Sequence, residues 1–560
     1  MKDWRILLSF AFLFAFGAAI TGRLAVLQIV NHGFYGALAQ GQQNLTEPQW
    51  GERGSIFLQG RRGELVPVAT TRETALVFLS PPEVENPEET AQVLAGILNI
   101  SPQEILSRAL RENSLFEVLK KDIPADTAFL VENLKLPGVY VEFEGVRVYP
   151  EGEFAAQMLG FTNADRQGQY GVEEAYNREL AGKEGFVRLA ANPGTYLRPS
   201  GLSEPEDGQD LVLTIDYNIQ REAERLLGAA REDLNFESGS ALVVEPSSGK
   251  VLAMATVPSF DPNQYGKVSD LSVFQNPITQ GLFEPGSIFK PITMASAIEE
   301  GRVLPTTTYM DTGRVQIGGA SIENYDQRMW GERTMTEVLE YSINTGAVFA
   351  ERQLGNKSFL SYIERFGFLR PTGIDLPGEA FSENREFRKG YEINFVTAAF
   401  GQGIEMTPLQ IARAFTALAN NGVMTTPYVA ELAGDRALGP QEDPQRVISA
   451  KTASQITSML VSVTEHGYAK SARVPGYYVA GKTGTAQISY SALGIPKAGY
   501  SEKTNQSFIG YAPAFNPRFL VLIKLQNPET NTAEYSAVPI FQNLAKYIID
   551  YYEIPPDYEP

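Results

Sequence analysis

An uncharged, mostly apolar run extends from Ile6 to Gly22, is interrupted by Arg23, and resumes through Leu24, Ala25, Val26, Leu27, Ile29 and Val30. A helix that crosses a bilayer needs about 20 predominantly apolar residues, with a range of roughly 17–25, so the run just suffices. Lys2 and Arg5 precede it, which orients the N-terminus toward the cytoplasm. Residues 1–5 are then a cytoplasmic tail and 6–30 a single-pass transmembrane anchor. The bulk of the chain lies beyond the cytoplasmic (inner) membrane, on its periplasmic or extracellular face. The small residues Gly17, Ala18 and Ala19 also suit a cleaved signal peptide, but the apolar character continuing to Val30 favours retention.

The chain beyond the anchor must fold in water. Hydrophobic residues are 43% of the 560, enough for more than one domain at about 100–200 residues each. The net charge of −19, from 66 acidic and 47 basic residues, argues against a nucleic-acid partner, which would call for a basic surface. There is no cysteine and there are two histidines, His32 and His466. Disulfides, thiol nucleophiles and cysteine-based zinc sites are thereby excluded. With His32 beside the membrane segment, only His466 remains for a Ser-His-Asp triad. A base of another type is expected, and lysine becomes the candidate.

The pattern of elements is α+β. In a mixed α/β region over 31–205, "ETALVFLS" and "GVYVEFEGVRVYP" alternate like strands. "SPQEILSRALREN" has Ser101 as helix cap, Pro102 at the first position and Glu104 to complete a capping box. Residues 192–210, rich in Gly, Pro and acids, read as a linker. A second domain over 206–555 opens with "DLVLTID" and a helix from Tyr217 to Arg231. "SALVVEPSSGKVLAMAT" comes next as a hairpin. "YVAGKTGTAQIS", "SFIGYAP" and "RFLVLIKL" add three strands, and Ile540, Leu544 and Ile548 form the stripe of a final amphipathic helix. The expectation is an antiparallel five-stranded sheet flanked by helices, with an all-helical insertion between its early and late strands.

Chemistry concentrates in three short pieces. "FEPGSIFKPIT" breaks at Pro285 and Gly286 and places Ser287 one turn before Lys290, so hydroxyl and amine share a face. The same Ser-x-x-Lys spacing recurs at Ser247 and Lys250, in a loop-like turn, and the bland alternative is a capping serine with a surface lysine. "EYSINTGAVFA" supplies Ser342 and Asn344; Ser382 and Asn384 repeat that spacing within the loop-like "FSENREF". "GKTGTAQ" supplies Lys482, Thr483, Gly484 and Thr485 on a strand. In this order, Ser-x-x-Lys, Ser-x-Asn and Lys-Thr-Gly form a nucleophile-and-base signature. Lys290 can serve as base only when neutral, and burial beside a second cation, Lys482, would achieve that. Lys482, Thr483 and Thr485 can attract a substrate carboxylate, and Gly484 lets a ligand approach the strand. Ser342 and Asn344 add a proton relay and an amide to hold a substrate peptide group. The backbone N–H groups of Ser287 and Thr485 suit an oxyanion.

These motifs, with "FGF…TGIDLPGE" and "GQGIEMTPLQIARAF", resemble the transpeptidase domain of class B, monofunctional penicillin-binding proteins. "ERGSIF", "RVYPEGEFAAQMLGF" and "GQYGVEEAYNREL" resemble that family's N-terminal pedestal, its dimerisation-type domain. The resemblance implies a D,D-transpeptidase that needs no metal or cofactor. Ser287 would attack the D-Ala-D-Ala end of one peptidoglycan stem peptide, release D-Ala and pass the acyl group to an amine of a neighbouring stem. β-Lactams would acylate the same serine. A polytopic glycosyltransferase and other divisome or elongasome proteins are implied as partners, and the compact pedestal is most similar to the division type. Two departures fall in the pedestal. Arg53-Gly54-Ser55-Ile56 runs into "FLQGRRGE" without the usual Asp-Arg, and Gln157 stands where histidine is common.

Two other readings compete. A membrane-anchored serine β-lactamase would need a deacylating base, for which class A enzymes use a glutamate; no Glu-x-x-Leu-Asn stretch is present. A catalytically dispensable envelope scaffold would tolerate losing one of Ser287, Lys290, Ser342, Asn344 or Lys482, yet all are intact.

Overall fold

The computed structural model describes residues 44–111, 114–192 and 195–559, with isolated positions between 12 and 21. The anchor expected over 6–30 lies almost wholly outside these residues. Among the described residues no helix is long and apolar enough to cross a membrane. The chain divides into two compact units, Met1–Arg53 with Ala181–Gly208, and Gly54–Leu180 with Gln209–Pro560.

The first unit contains a three-stranded antiparallel sheet of Asn44–Trp50, Glu184–Asn192 and Thr195–Ser203. The segment 192–210, expected to be a linker, therefore contributes a strand. Its proline is tolerated because Thr195–Ser203 is an edge strand and Pro199 lies at a register shift opposite Leu189.

The second unit has two hydrophobic cores. The smaller is built from Ala75, Val77, Leu79, Leu94, Leu98, Ile105 and neighbours. It forms where the far half of the long strand Leu65–Leu79 pairs with Glu117–Pro124 and Val139–Val148. The expected helix at 101–113 ends at Ala109. Ser101 Oγ accepts from the Glu104 N–H at 3.2 Å, but the Glu104 carboxylate pairs with Arg108 at 2.5 Å. Only half of the capping box forms. The near half of Leu65–Leu79 belongs to a mixed sheet, where Leu211–Asp216 runs parallel to Ile56–Gln59 and antiparallel to Ala430–Ala433. A buried ion pair lies beside it: Arg147 Nε meets Glu173 Oε1 at 2.7 Å, and Arg147 Nη1 donates to Gly54 O at 2.7 Å. Gln157, the other pedestal departure, donates from Nε2 to Pro258 O at 2.8 Å and Val273 O at 3.2 Å.

The larger core surrounds the expected five-stranded antiparallel sheet. Helix α1 (Tyr217–Leu234) starts at Asp216, whose Oδ1 accepts from the N–H groups of Asn218 and Ile219. Strands β1 (Ser238–Val244) and β2 (Val251–Val257) form the hairpin. Then come α2 (Lys290–Glu299), α3 (Asn344–Leu354), α4 (Pro408–Ala419) and α5 (Ala450–Glu465). Strands β3 (Ala480–Ser489), β4 (Tyr500–Ala512) and β5 (Phe519–Gln526) complete the sheet in the order β2-β1-β5-β4-β3, and α6 (Ala537–Tyr552) closes the fold. Ile540, Leu544 and Ile548 of α6 are buried, and Phe541 packs on Phe508 of β4 with ring centroids 4.5 Å apart. The insertion between β2 and β3 is not all-helical. Thr308–Asp311 pairs with Gly331–Thr334, Arg314–Ile317 pairs with Ala320–Glu323, and Ala430–Ala433 leaves to join the mixed sheet. Strands of four residues are too short for an alternation pattern to declare them.

Candidate active site

Pro285 and Gly286 bring the chain into a 3₁₀ turn, Gly286–Phe289, which runs directly into α2 at Lys290. Residues three apart eclipse each other in a 3₁₀ turn, so Ser287 and Lys290 share one edge. Ser287 is not the cap of this turn; Pro285 holds that position and no side chain caps it. Phe289 buries itself against Phe368 at 5.1 Å, and the turn is thereby anchored on its apolar side.

Lys290 is 1% exposed, and its amine meets three oxygens. It donates to the Ser342 carbonyl and, at 2.8 Å, to Asn344 Oδ1, with Ser342 Oγ at 3.2 Å. The Ser287 hydroxyl and the amine do not form the direct hydrogen bond that the spacing suggests. A neutral amine has two N–H groups and one lone pair. The Ser342 carbonyl and Asn344 Oδ1 take the N–H groups, which leaves the lone pair for a hydroxyl. Burial, and then the neighbouring Lys482, hold the Lys290 amine well below its ordinary pKa. Unperturbed, only about one lysine in a few thousand would be neutral at pH 7.

Ser342 lies between a short helix, Met335–Glu340, and α3. Its φ of 54° is left-handed, a conformation uncommon for residues with a Cβ. That conformation turns its carbonyl and hydroxyl toward the same amine. Lys482 Nζ reaches Ser342 Oγ at 2.9 Å, so one hydroxyl bridges the two lysines. Asn344 is expected from the sequence to hold a substrate amide. In the structure its Oδ1 faces Lys290, and its Nδ2 donates to Glu323 O at 3.0 Å, so the side chain is oriented to serve the lysine.

Strand alternation sorts the Lys-Thr-Gly-Thr stretch. Lys482, Gly484 and Ala486 face inward and are buried, while Thr483 and Thr485 are half-buried at the edge. Lys482 is 1% exposed, and burial lowers its pKa to about 7. Gly484 is expected to make room for a ligand, but a Cβ there would lie 2.6 Å from Ser507 Oγ and 3.0 Å from both Ile288 and the Pro285 carbonyl. The space beside it is occupied by the serine turn. A Cβ at Gly286 would likewise lie 2.9 Å from that of Ala486. Turn and strand are in contact, with β3 at the sheet's edge.

The decoys separate cleanly. Lys250 is ion-paired to Glu431 at 2.5 Å. Asn384 braces a loop by donating to Glu405 O and accepting from the Glu405 N–H. His466 ends α5, with its ring near Ser462. A supporting network escapes sequence reasoning. The Asp311 carboxylate accepts from Thr345 Oγ1 at 2.6 Å, Asn324 Nδ2 at 2.9 Å and Trp330 N at 2.8 Å. Asn324 Oδ1 accepts from Thr345 N at 3.1 Å. This fastens Glu323 and the start of α3, and therefore Asn344. No short motif marks a buried aspartate with partners so far along the chain.

Residues 239–546 match the penicillin binding protein transpeptidase domain, and residues 48–213 the penicillin-binding protein dimerisation domain. Stage V sporulation protein D of Bacillus subtilis (strain 168) is 33% identical over 94% of this chain and 82% of its own length. Peptidoglycan D,D-transpeptidase FtsI of Escherichia coli (strain K12) is 29% identical over 99% of this chain and 93% of its own. Among solved structures, penicillin binding protein 3 of Mycobacterium tuberculosis complexed with aztreonam superposes with a TM-score of 0.71. It is 27% identical, over 91% of this chain and 98% of the other.

Proposed function

The chain belongs to the penicillin-binding protein transpeptidase family as a class B member, and we propose that it cross-links peptidoglycan stem peptides through an acyl-enzyme on Ser287. The observation that carries the proposal is the Lys290 amine, buried against the Ser342 carbonyl, the Ser342 hydroxyl and Asn344 Oδ1 and held well below its ordinary pKa by burial and the neighbouring Lys482. Ser287 Oγ attacks the carbonyl of the penultimate D-Ala as its proton passes to Lys290. The oxyanion accepts from the N–H groups of Ser287 and Thr485. The start of a helix leaves such N–H groups unpaired, and an edge strand does the same. As the C–N bond breaks, the proton on Lys290 goes to the departing D-Ala amine. The amine of a second stem then attacks the ester, gives its proton to Lys290, and the Ser287 hydroxyl is restored. Lys482, with Thr483 and Thr485 along the edge strand, receives the terminal carboxylate, while Gly484 lets the strand lie against the serine turn, and Ser342 relays protons between the two lysines.

The wider assignments belong to the same proposal. They are an anchor over 6–30, a pedestal over 31–205, a catalytic domain over 206–555, and work outside the cytoplasmic membrane beside a polytopic glycosyltransferase. Septal wall synthesis is the setting proposed on the division-type resemblance; a fluorescent fusion distributed along the side wall would remove it. The reaction itself is tested by intact-mass analysis after penicillin treatment. One covalent adduct is expected, on the peptide containing Ser287, and an adduct on Ser247 would overturn the assignment.

A further inference from the structure

Asp311 ends the short strand Thr308–Asp311 and is 3% exposed. Its two oxygens accept from donors on separate stretches of chain. Oδ1 takes Thr345 Oγ1 at 2.6 Å and Gly313 N at 3.0 Å, and Oδ2 takes Trp330 N at 2.8 Å. Asn324 Nδ2 reaches both oxygens, at 3.1 and 2.9 Å. Among the described residues no lysine, arginine or histidine pairs with this carboxylate, so its whole hydrogen-bonding capacity goes to orienting neutral groups. An ionised carboxylate only accepts, and each partner must turn a hydrogen toward it. Asn324 thereby presents its Nδ2 to Asp311 and keeps Oδ1 for Thr345 N at 3.1 Å.

The effect reaches Asn344 through the carbonyl of Glu323, the residue before Asn324. That carbonyl accepts from Asn344 Nδ2 at 3.0 Å. A carbonyl cannot donate, so it takes the NH₂ end of the amide and leaves Oδ1 for Lys290 Nζ at 2.8 Å. Turned over, the amide would set its own oxygen against the Glu323 carbonyl, two acceptors with no hydrogen between them. Its NH₂ would then donate to the lone pair of a neutral Lys290, the same pair that a hydroxyl must reach. The placing of one backbone carbonyl therefore decides whether Asn344 supports the lysine or competes for it.

We propose that Asp311 is a positioning residue for acylation. By pinning Asn324 and Thr345 on either side of the Asn344–Glu323 contact, it holds the Asn344 amide in the orientation that keeps its NH₂ away from Lys290. The role rests on the proposed reaction, in which Lys290 takes the Ser287 proton, and Asp311 acts on that step through Asn344.

Stopped-flow acylation of the full-length protein in detergent, by a chromogenic cephalosporin over a range of concentrations, separates the dissociation constant of the first complex from the acylation rate constant. Thr345→Val nearly keeps the shape of the side chain and removes its hydroxyl from Asp311, whereas Thr345→Ser keeps the hydroxyl. Thr345→Val should lower the acylation rate constant at least about tenfold, the loss of one hydrogen bond to a charged group, with the dissociation constant unchanged. Thr345→Ser should restore the rate. In an Asn344→Ala background Thr345→Val should cost little more, because residues acting through one group are not additive. A natively melting Thr345→Val with the wild-type rate constant would overturn the role, and so would a loss that lies in the dissociation constant. Failure of Thr345→Ser to restore the rate, or a full further loss in the Asn344→Ala background, would overturn it equally. Should Thr345→Val fail to fold, Asp311→Asn decides in its place by the same rate constant, dissociation constant and Asn344→Ala background. A wild type that forms no acyl adduct would overturn the proposed reaction and this role with it; a wild type that acylates, matched by its Thr345→Val variant, would overturn this role alone.

Discussion

At Ser342 a left-handed φ of 54° carries a strain of about 1–3 kcal/mol for a residue with a Cβ. In return one residue offers its carbonyl and its hydroxyl to the Lys290 amine and bridges to Lys482. On the proposed mechanism the two lysines divide the work. Lys290→Arg keeps the charge but cannot deprotonate, so penicillin acylation should be abolished; near wild-type labelling would show that another group is the base. The pH profile separates the pair further. Burial and then the Lys482 charge lower the pKa of Lys290, and Lys482, lowered to about 7, is cationic below that pH. Removing that like charge in Lys482→Met favours protonated Lys290 and raises its pKa. Less of it is neutral at a given pH, so the acid limb of the acylation rate should move to higher pH. At the other end, Lys482 loses its charge above about 7. The second-order rate with a carboxylate-bearing penicillin should therefore fall there, and Lys482→Arg, always charged, should abolish that fall. Stopped-flow acylation of the wild type and both variants across pH reads both limbs.

Among the elements, the contact between the serine turn and its neighbours decides the geometry. Gly286 N donates to Gly401 O at 2.9 Å. Gly401 has φ 82°, and a Cβ there would fall 2.1 Å from the Gly286 carbonyl oxygen. No side chain fits between these backbones without moving Ser287. A displacement near 1 Å at a reacting group is worth on the order of 100-fold in rate. Gly401→Ala should thus acylate about 100-fold more slowly while its circular dichroism spectrum stays native. An unchanged rate would mean that the turn is held by something other than this interlock.

For the molecule as a whole, the two cores of the second unit predict uneven stability. Leu94 is fully buried in the smaller core, whereas the proposed catalytic residues belong to elements packed around the larger one. Leu-to-Ala changes in a core cost about 2–5 kcal/mol, depending on how far the site collapses, and local units can open separately. Leu94→Ala should lower the melting of the smaller core and leave penicillin labelling of Ser287 close to wild type. Differential hydrogen exchange, protease sensitivity around 87–133 and a labelling assay test this together. Loss of labelling in step with the smaller core would mean that the two cores fold as one unit.

Much of the candidate site was legible because its motifs are local in sequence. Ser287 and Lys290 lie three apart, Ser342 and Asn344 two apart, and Lys482 to Thr485 are contiguous, so turn and strand periodicity could assign their neighbourhoods. The main sheet was legible for the same reason: its strands are long enough to show their pattern, from "SALVV" to "RFLVLIKL". The sheet formed by Leu211–Asp216 with Ile56–Gln59 and Ala430–Ala433 was not legible, because pairing across hundreds of residues leaves no periodic trace. The strand Thr195–Ser203 was hidden by Pro199 and Gly201, which an edge tolerates. Sequence alone determined which groups could act as nucleophile, base and cation, since composition left no cysteine and almost no histidine to compete. Tertiary structure decided what those groups can do. Burial of two lysines around one strained serine sets their protonation, the Asp311 network turns Asn344 toward Lys290, and close backbone approach at Gly286, Gly401 and Gly484 sets where Ser287 stands. Each of these depends on distance through space and on exclusion of water, quantities that exist only once the chain has folded.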